Sequence, residues 1–248
     1  MKKFIIANLK MNFTQEECKN YLNQLEPLLQ NSTNKIGIAF PFTNLLLAKD
    51  MLLNSKILIG AQNVHEEESG AYTGEISARM LKDLSCNFVI VGHSERRQYN
   101  NETNKGINLK IKRLLKHGMK AILCVGETKS ERDNKKTNTI IKGQIEGALA
   151  GLYENELKSL IIAYEPVWAV GTGVQPTPKQ IEHECKFIRE VISQNFSEKA
   201  GKNICIIYGG SLKPDNAKQI FALENVDGGL IGGASLQPES FAKLANLK

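Results

Sequence analysis

Short apolar runs alternate with amphipathic stretches along the whole chain. Eight of the runs have the length of a strand, and several are apolar throughout instead of alternating between apolar and polar positions. Continuous apolar runs are typical of parallel strands that are covered on both faces. The predicted strands occupy residues 4–9, 35–40, 57–62, 88–92, 121–125, 160–164, 204–208 and 229–231.

A stretch with helical periodicity follows each run. Thr14 and Glu17 have the spacing of a capping box at the start of the first stretch. Thr177, Pro178 and Gln180 form a similar start signal at the sixth. The predicted helices occupy residues 14–30, 44–53, 77–84, 103–117, 140–152, 177–192, 216–223 and 238–245.

Eight strands that alternate with eight helices predict an α/β fold, a closed (β/α)8 barrel with parallel strands, as a single domain over residues 1–248. A doubly wound open sheet is the alternative. No Gly-x-Gly-x-x-Gly sequence follows the first strand, which weakens the dinucleotide-binding version of that alternative.

The formal net charge of +6 allows an anionic partner, including nucleic acid. However, basic and acidic residues are interleaved along the chain, and the one basic cluster, residues 129–136, contains Glu131 and Asp133. We therefore expect a solvated surface there and no nucleic-acid partner. The overall positive charge still favours a small anionic substrate.

The five cysteines are scattered and include no Cys-x-x-Cys pair, which indicates free thiols in a reducing compartment. The apolar run at residues 4–9 is too short for a signal peptide and ends at Lys10. No stretch approaches the roughly 20 apolar residues that a membrane-spanning helix needs. We therefore expect a cytoplasmic protein that has no membrane partner.

Polar side chains stand where several predicted strands end. Asn8 and Lys10 end the first strand, His93 and Glu95 follow the fourth, and Glu165 ends the sixth. In a (β/α)8 barrel the carboxyl ends of the strands meet at one face, where active sites lie. A surface lysine and a structural histidine are the ordinary interpretations of single residues. Together, a cation, an imidazole and a carboxylate on one face predict acid–base catalysis with a charge stabiliser.

Glycine-rich segments follow the last two strands. Ser211 lies in a Gly-Gly-Ser segment after the seventh, and Gly232 and Gly233 follow the eighth. Such segments before helices present backbone N–H groups to an anion, and this barrel often builds its phosphate site there. Gly171 offers a further N–H group. Ordinary turn glycines are the alternative, but two such segments favour a small phosphorylated substrate.

The segment after Glu165 has the composition of a hinged lid. Pro166 restricts Glu165 to extended geometry, whereas Gly171 and Gly173 give the far end backbone freedom. The chain's single tryptophan, Trp168, lies between them and can pack on the barrel when the lid closes. The alternative is an ordinary strand-to-helix loop.

These segments closely resemble the triosephosphate isomerase family. The resemblance implies a TIM barrel that interconverts dihydroxyacetone phosphate and D-glyceraldehyde 3-phosphate through an enediol(ate), in glycolysis and gluconeogenesis, without metal or cofactor. The matching segments run in family order and are residues 8–12, 70–75, 91–97, 163–173, 208–211 and 232–236.

The same resemblance implies roles for the residues at the strand ends. Glu165 is expected to act as the base, and His93 as a neutral electrophile because a helix begins directly after it. Lys10, paired with Glu95, is expected to stabilise the charge of the enediolate and the phosphate, and Asn8 to hold substrate oxygens. The N–H groups of Gly171, Ser211, Gly232 and Gly233 are expected to bind the phosphate, and Tyr208 and Ser211 to hold the closed lid.

The resemblance also implies a homodimer. Residues 62–79 are expected to contain a long loop with Thr73 near its tip, which inserts beside the active site of a second subunit and steadies Lys10 and His93. An exposed acidic loop at residues 66–68 is the alternative from composition alone.

Three departures from the family pattern stand out. Leu9 replaces the usual tryptophan, Val174-Gln175-Pro176 replaces the usual end of the lid, where Pro176 should stiffen the hinge, and residues 129–138 match poorly. Arg132 is nevertheless expected to retain a structural ion pair. Cys124, close to the catalytic glutamate in the family pattern, is expected to be a buried structural thiol.

Two alternative functions remain at this point. One is another phosphate-binding barrel isomerase, and the other is a barrel that binds phosphate or a protein without catalysis. The first needs a different set of acid–base residues. The second predicts loss of at least one catalytic group, and none is lost.

Overall fold

The computed structural model describes residues 2–169 and 175–247 and contains a closed barrel of eight parallel strands. Each strand pairs with its neighbour in sequence, and β1 closes the barrel by pairing with β8. All eight predicted strands are confirmed within one residue at each end. They are β1 (Phe4–Asn8), β2 (Lys35–Phe40), β3 (Leu58–Ala61), β4 (Phe88–Val91), β5 (Lys120–Val125), β6 (Leu160–Tyr164), β7 (Cys205–Tyr208) and β8 (Gly228–Ile231).

Helices surround the barrel and connect the strands. In the described parts of the chain they are α1 (Gln15–Leu29), α2 (Leu45–Met51), α3 (Ala78–Asp83), α4 (Ser94–Tyr99), α5 (Asn104–Lys116), α6 (Lys129–Asp133), α7 (Thr137–Leu149), α8 (Pro178–Asn195), α9 (Glu198–Asn203), α10 (Pro214–Phe221) and α11 (Pro238–Ala245). Both predicted capping signals are present, because Thr14 and Thr177 accept hydrogen bonds from the third residue of their helices.

The predicted helices differ from the structure in two respects. The helix expected at residues 140–152 runs from Thr137 to Leu149. The short helices α6 and α9 were not predicted, since one turn of helix is too short to show a clear periodicity. These errors leave the order of strands and main helices unchanged.

The core has two layers. One lies between the strands and the surrounding helices, and the other fills the inside of the barrel. Inside the barrel, the Phe88 ring occupies space beside Gly37 and Gly60, where a Cβ atom would lie 2.7 and 2.2 Å from the ring. The two glycines therefore make room for one large aromatic side chain. Above this layer, the barrel opens at the carboxyl ends of its strands.

None of the described helices is long and apolar enough to cross a membrane. All five cysteines have free thiols, as predicted, and Cys18, Cys86, Cys124 and Cys185 are buried.

Candidate active site

A cavity of about 810 Å³ lies at the carboxyl ends of the strands and brings the predicted site residues together. Gly171, the remaining member of the predicted set, lies outside the described residues, as do Gly173 and Val174 of the predicted lid. The predicted residues that border the cavity are Asn8, Lys10, His93, Glu95, Glu165, Ser211, Gly232 and Gly233.

Glu165 is buried at the floor of this cavity, directly after β6. Its backbone N–H donates to the carbonyl of Val125 at 2.8 Å, which continues the β5–β6 ladder by one residue. Its carboxylate accepts from the Ser94 backbone N–H at 3.1 Å and lies 3.1 Å from His93 Nε2. The strand and the start of α4 therefore hold both oxygens of a carboxylate that is only 2% exposed.

His93 caps the N-terminus of α4. Its Nδ1 accepts from the Glu95 backbone N–H at 3.3 Å, so the ring proton of the neutral imidazole is on Nε2. That nitrogen faces the Glu165 carboxylate. The capping position thus fixes the tautomer that can donate a proton into the cavity.

Burial and the partner carboxylate act in opposite directions on this pair. Burial lowers the pKa of His93, but the charge and hydrogen bond of Glu165 outweigh it and raise the pKa above its usual value. For Glu165, burial raises the pKa, but His93 and the Ser94 N–H hold it below its usual value. The helix that begins after His93 predicts a lowered pKa for this imidazole, whereas the nearby Glu165 carboxylate raises it.

Removing the Glu165 carboxylate should therefore lower the pKa of His93. In Glu165→Gln, burial remains while the negative charge is gone, so we expect the His93 pKa to fall below the ordinary value of about 6.5. NMR titration of the imidazole C–H signals measures this change, with His93→Gln to assign the signal. An unchanged His93 pKa would show that Glu165 does not control it.

Lys10 and Asn8 form the opposite wall. The Lys10 backbone has a φ of 52° and its N–H donates to Asn8 Oδ1 at 3.0 Å, which turns the chain sharply at the end of β1. The Lys10 ammonium forms an ion pair with Glu95, as predicted. Gln62 donates to the Lys10 carbonyl at 2.9 Å. A left-handed lysine is unfavourable by itself, so these bonds hold it in a strained position at the cavity.

The two glycine-rich segments lie beside this wall. A Cβ atom on Gly232 would be 3.2 Å from Lys10 Cε, so the segment after β8 contacts the lysine side chain. A 3-10 helix, Gly233–Leu236, begins there. Ser211 follows β7, and its carbonyl accepts from Asn216 Nδ2 at 2.9 Å. The cavity thus joins an acid–base pair, an ammonium group and two backbone segments that suit an anion.

Known proteins of one family are similar to this chain over nearly its whole length. The family model described as triosephosphate isomerase matches residues 3–248. The chain belongs to the triosephosphate isomerase family. It is 44% identical over 247 residues to the triosephosphate isomerase of Alkaliphilus metalliredigens. The aligned region covers 99% of this chain and the whole of that protein. It is likewise 44% identical to that of Finegoldia magna, over 99% of this chain and 98% of the relative.

The sequence analysis missed one polar group of this triosephosphate isomerase family member, Glu127, two residues after β5. Its carboxylate is fully buried and accepts from Trp168 Nε1 and Arg132 Nη1, both at 2.8 Å. Its carbonyl accepts from the Val167 N–H at 3.1 Å. The end of β5 therefore anchors the chain just after Glu165. A carboxylate directly after a predicted strand was the available signal.

Two of the departures from the family pattern, at Leu9 and around Arg132, leave the expected contacts in place. Leu9 is fully buried in the core and leaves the bonds of Lys10 intact. The predicted ion pair of Arg132 is confirmed, and its guanidinium also lies 4.5 Å from the centre of the Trp168 ring. Cys124 is buried and hydrogen-bonded to Glu165, and burial holds its pKa well above the usual value, so the thiol stays protonated.

Proposed function

We propose that this chain interconverts dihydroxyacetone phosphate and D-glyceraldehyde 3-phosphate at the cavity described above. The observation that carries the proposal is the buried pair of Glu165 and His93 in one cavity with Lys10. Glu165 Oε1 lies 3.1 Å from His93 Nε2. Family membership over residues 3–248 supports the same reaction. A base, a proton donor and a cation are the groups that an enediolate intermediate requires.

The reaction moves protons within one molecule. Glu165 takes a proton from the carbon beside the carbonyl, and the Nε2–H of neutral His93 polarises the carbonyl oxygen. Lys10 balances the negative charge that develops on that oxygen, and Asn8 holds the substrate oxygens. The Nε2 proton of His93 passes to the carbonyl oxygen, and the same nitrogen takes the proton of the adjacent hydroxyl group. Glu165 then returns its proton to the neighbouring carbon, which leaves both side chains in their starting states. Since Glu165 and His93 contact each other, the substrate must separate the two groups and accept the Nε2–H hydrogen bond in place of Glu165.

The phosphate has its own binding position in this proposal. Ser211, Gly232 and Gly233 border the same cavity, and Lys10 lies within contact distance of Gly232. In this proposal their N–H groups bind the phosphate. Binding energy from the phosphate, away from the reacting carbons, holds those carbons against Glu165 and His93. Gly171 completes this set by resemblance to the family.

A coupled assay tests the reaction directly. The purified chain receives D-glyceraldehyde 3-phosphate, and the formation of dihydroxyacetone phosphate is followed by its reduction with an added dehydrogenase. We expect rapid turnover. The isomerase itself should need no added metal or nucleotide. A folded protein without turnover would overturn the proposal and favour the non-catalytic barrel.

We further propose a homodimer in which the loop around Thr73 completes the partner's site. A second cavity of about 420 Å³, bordered by Lys10 and His93, opens beside the first. Met11 at its rim is 96% exposed, and Tyr99 is 72% exposed. Exposed apolar side chains around a concave surface are typical of an interface.

The loop itself is held out from the barrel. The acidic residues at its base are tied to α5, because Arg113 donates to Glu68 at 2.8 Å and to the Glu66 carbonyl at 2.9 Å. Its tip, residues 69–75, is exposed. The acidic stretch that composition alone left unexplained therefore has a local role in fixing the loop base.

Thr73→Arg should break the dimer and lower activity together. A long cation at the tip cannot enter a cavity that already contains Lys10, so we expect monomers and at least a tenfold lower kcat, about 1.4 kcal/mol. Light scattering and the isomerase assay measure the two effects. Thr139→Arg, at an exposed position of α7, is the matched control. An active monomeric variant would contradict the proposal.

A further inference from the structure

Glu184 on α8 is a buried carboxyl group with one oxygen atom that has no hydrogen-bond partner among the described residues. The residue is only 6% exposed, although the exposed side of a helix was available to an acidic residue. Its Oε2 atom accepts no hydrogen bond from any residue that the structure describes. Its Oε1 atom lies 3.4 Å from Nδ1 of the exposed His183. Burying such a group costs free energy, so its position calls for a function.

The group lies near enough to the Glu127 carboxylate for the two charges to interact. The titratable and charged groups around it are Glu127 after β5, Arg132 on α6, Tyr164 on β6, and His183 and Cys185 on α8. Glu127 and Glu184 repel each other when both are ionised, and both attract Arg132.

Glu127 connects this cluster to the catalytic strand. It holds the chain after Glu165 at two points, through its carbonyl to Val167 N–H and through its carboxylate to Trp168 Nε1. Tyr164 OH, next to Glu165 in sequence, also points to this carboxylate at 3.3 Å. A change in the charge of Glu184 acts on Glu127, and through Glu127 on the residues that position the base.

We propose that Glu184 is a positioning residue that couples the state of the Glu127–Trp168 contact to pH. In the protonated form, Glu184 leaves Glu127 to Arg132 and Trp168. In the ionised form, it repels Glu127 and competes for Arg132, which alters the surroundings of the Trp168 indole. The kinetic part of this inference rests on the proposed isomerase function, whereas the structural part does not.

The direction of the titration supports the proposal. Burial, with the Glu127 charge added to it, raises the pKa of Glu184 above its usual value, against a lowering effect of His183 and Arg132. A carboxyl group with a raised pKa destabilises the folded state above that pKa and has no effect well below the unfolded value. Ionisation of Glu184 thus lowers stability as pH rises.

Fluorescence tests the structural part without any substrate. Trp168 is the only tryptophan, so its emission reports this cluster alone. We expect the emission to change with a midpoint above about 4.3, the ordinary glutamate pKa, and we expect Glu184→Gln to lose this transition. Glu190→Gln, the same change at an exposed position of α8, should keep it. A wild-type emission that is flat between pH 4.5 and 8, or a transition that survives in Glu184→Gln, would overturn the proposal.

Two further measurements separate positioning from a merely structural role. Glu184→Gln should melt at a higher temperature than wild type at pH 8, and the difference should disappear below pH 4. The pH profile of kcat should contain a step at the fluorescence midpoint in wild type and lack it in Glu184→Gln. If neither variant nor wild type turns over, the fluorescence result still stands, and only the proposed function fails.

Discussion

Glu165→Gln should lower kcat by about 10²- to 10⁴-fold, equivalent to about 3 to 5 kcal/mol of barrier. Glutamine keeps the size of the side chain and can still accept from the Ser94 N–H, but it cannot take a proton. The base acts in the chemical step, so KM should change much less than kcat. Steady-state kinetics in the isomerisation assay measure both constants.

The matched control for this variant is Glu146→Gln. Glu146 is an exposed residue of α7, and its Oε1 atom lies 3.8 Å from Lys142 Nζ. The same chemical change there therefore removes only a surface ion pair. We expect wild-type kinetics from it. Normal turnover in Glu165→Gln, in a preparation that is shown by mass spectrometry to contain glutamine, would remove Glu165 from the mechanism.

Gly209→Ala should lower kcat by about 10²-fold without touching any charged group. A Cβ atom on Gly209 would lie 2.7 Å from Glu165 Cγ and 3.3 Å from the Tyr164 carbonyl oxygen. The Glu165 side chain is buried and held at both oxygens, so it must leave its position to relieve the contact. Displacement of a catalytic group by about 1 Å is sufficient for a loss of this size.

Gly143→Ala is the control for this substitution. Gly143 is in the middle of α7, and no described atom beyond its chain neighbours and the backbone of its own helix lies within 4 Å of a Cβ placed there. Alanine there should leave kcat unchanged and raise stability by about 0.5 to 1 kcal/mol, because glycine is a poor helix former. If Gly209→Ala retained full activity, the positioning of Glu165 by its surroundings would be much looser than the contacts indicate.

The sequence was sufficient for the barrel because its strands are continuous apolar runs, a local signal. The site followed from a topological rule, since the ends of parallel strands meet at one face. Asn8, His93 and Glu165 could be grouped in this way although they are far apart in the chain. The phosphate-binding glycines and the role of each side chain needed the family pattern as well.

What could not be predicted depends on contacts between distant residues. The raised pKa of His93 comes from Glu165, 72 positions later, and the helix capped by His93 gives no indication of it. Glu127 gains its importance from Trp168, 41 positions away. Glu184 lies beside the apolar stripe of α8, and only the packing of that helix in the folded chain shows that it is buried. Sequence periodicity contains none of this information.

The packing of Phe88 inside the barrel has a consequence for how this protein can evolve. Gly37 and Gly60 stand on two neighbouring strands, and each would overlap the Phe88 ring if it acquired a side chain. A larger residue at either glycine is therefore acceptable only after Phe88 has been replaced by something smaller. Conversely, a smaller residue at position 88 leaves a void until a glycine is filled. Substitutions at the three positions are therefore coupled, and position 88 must change before either glycine can be replaced by a larger residue.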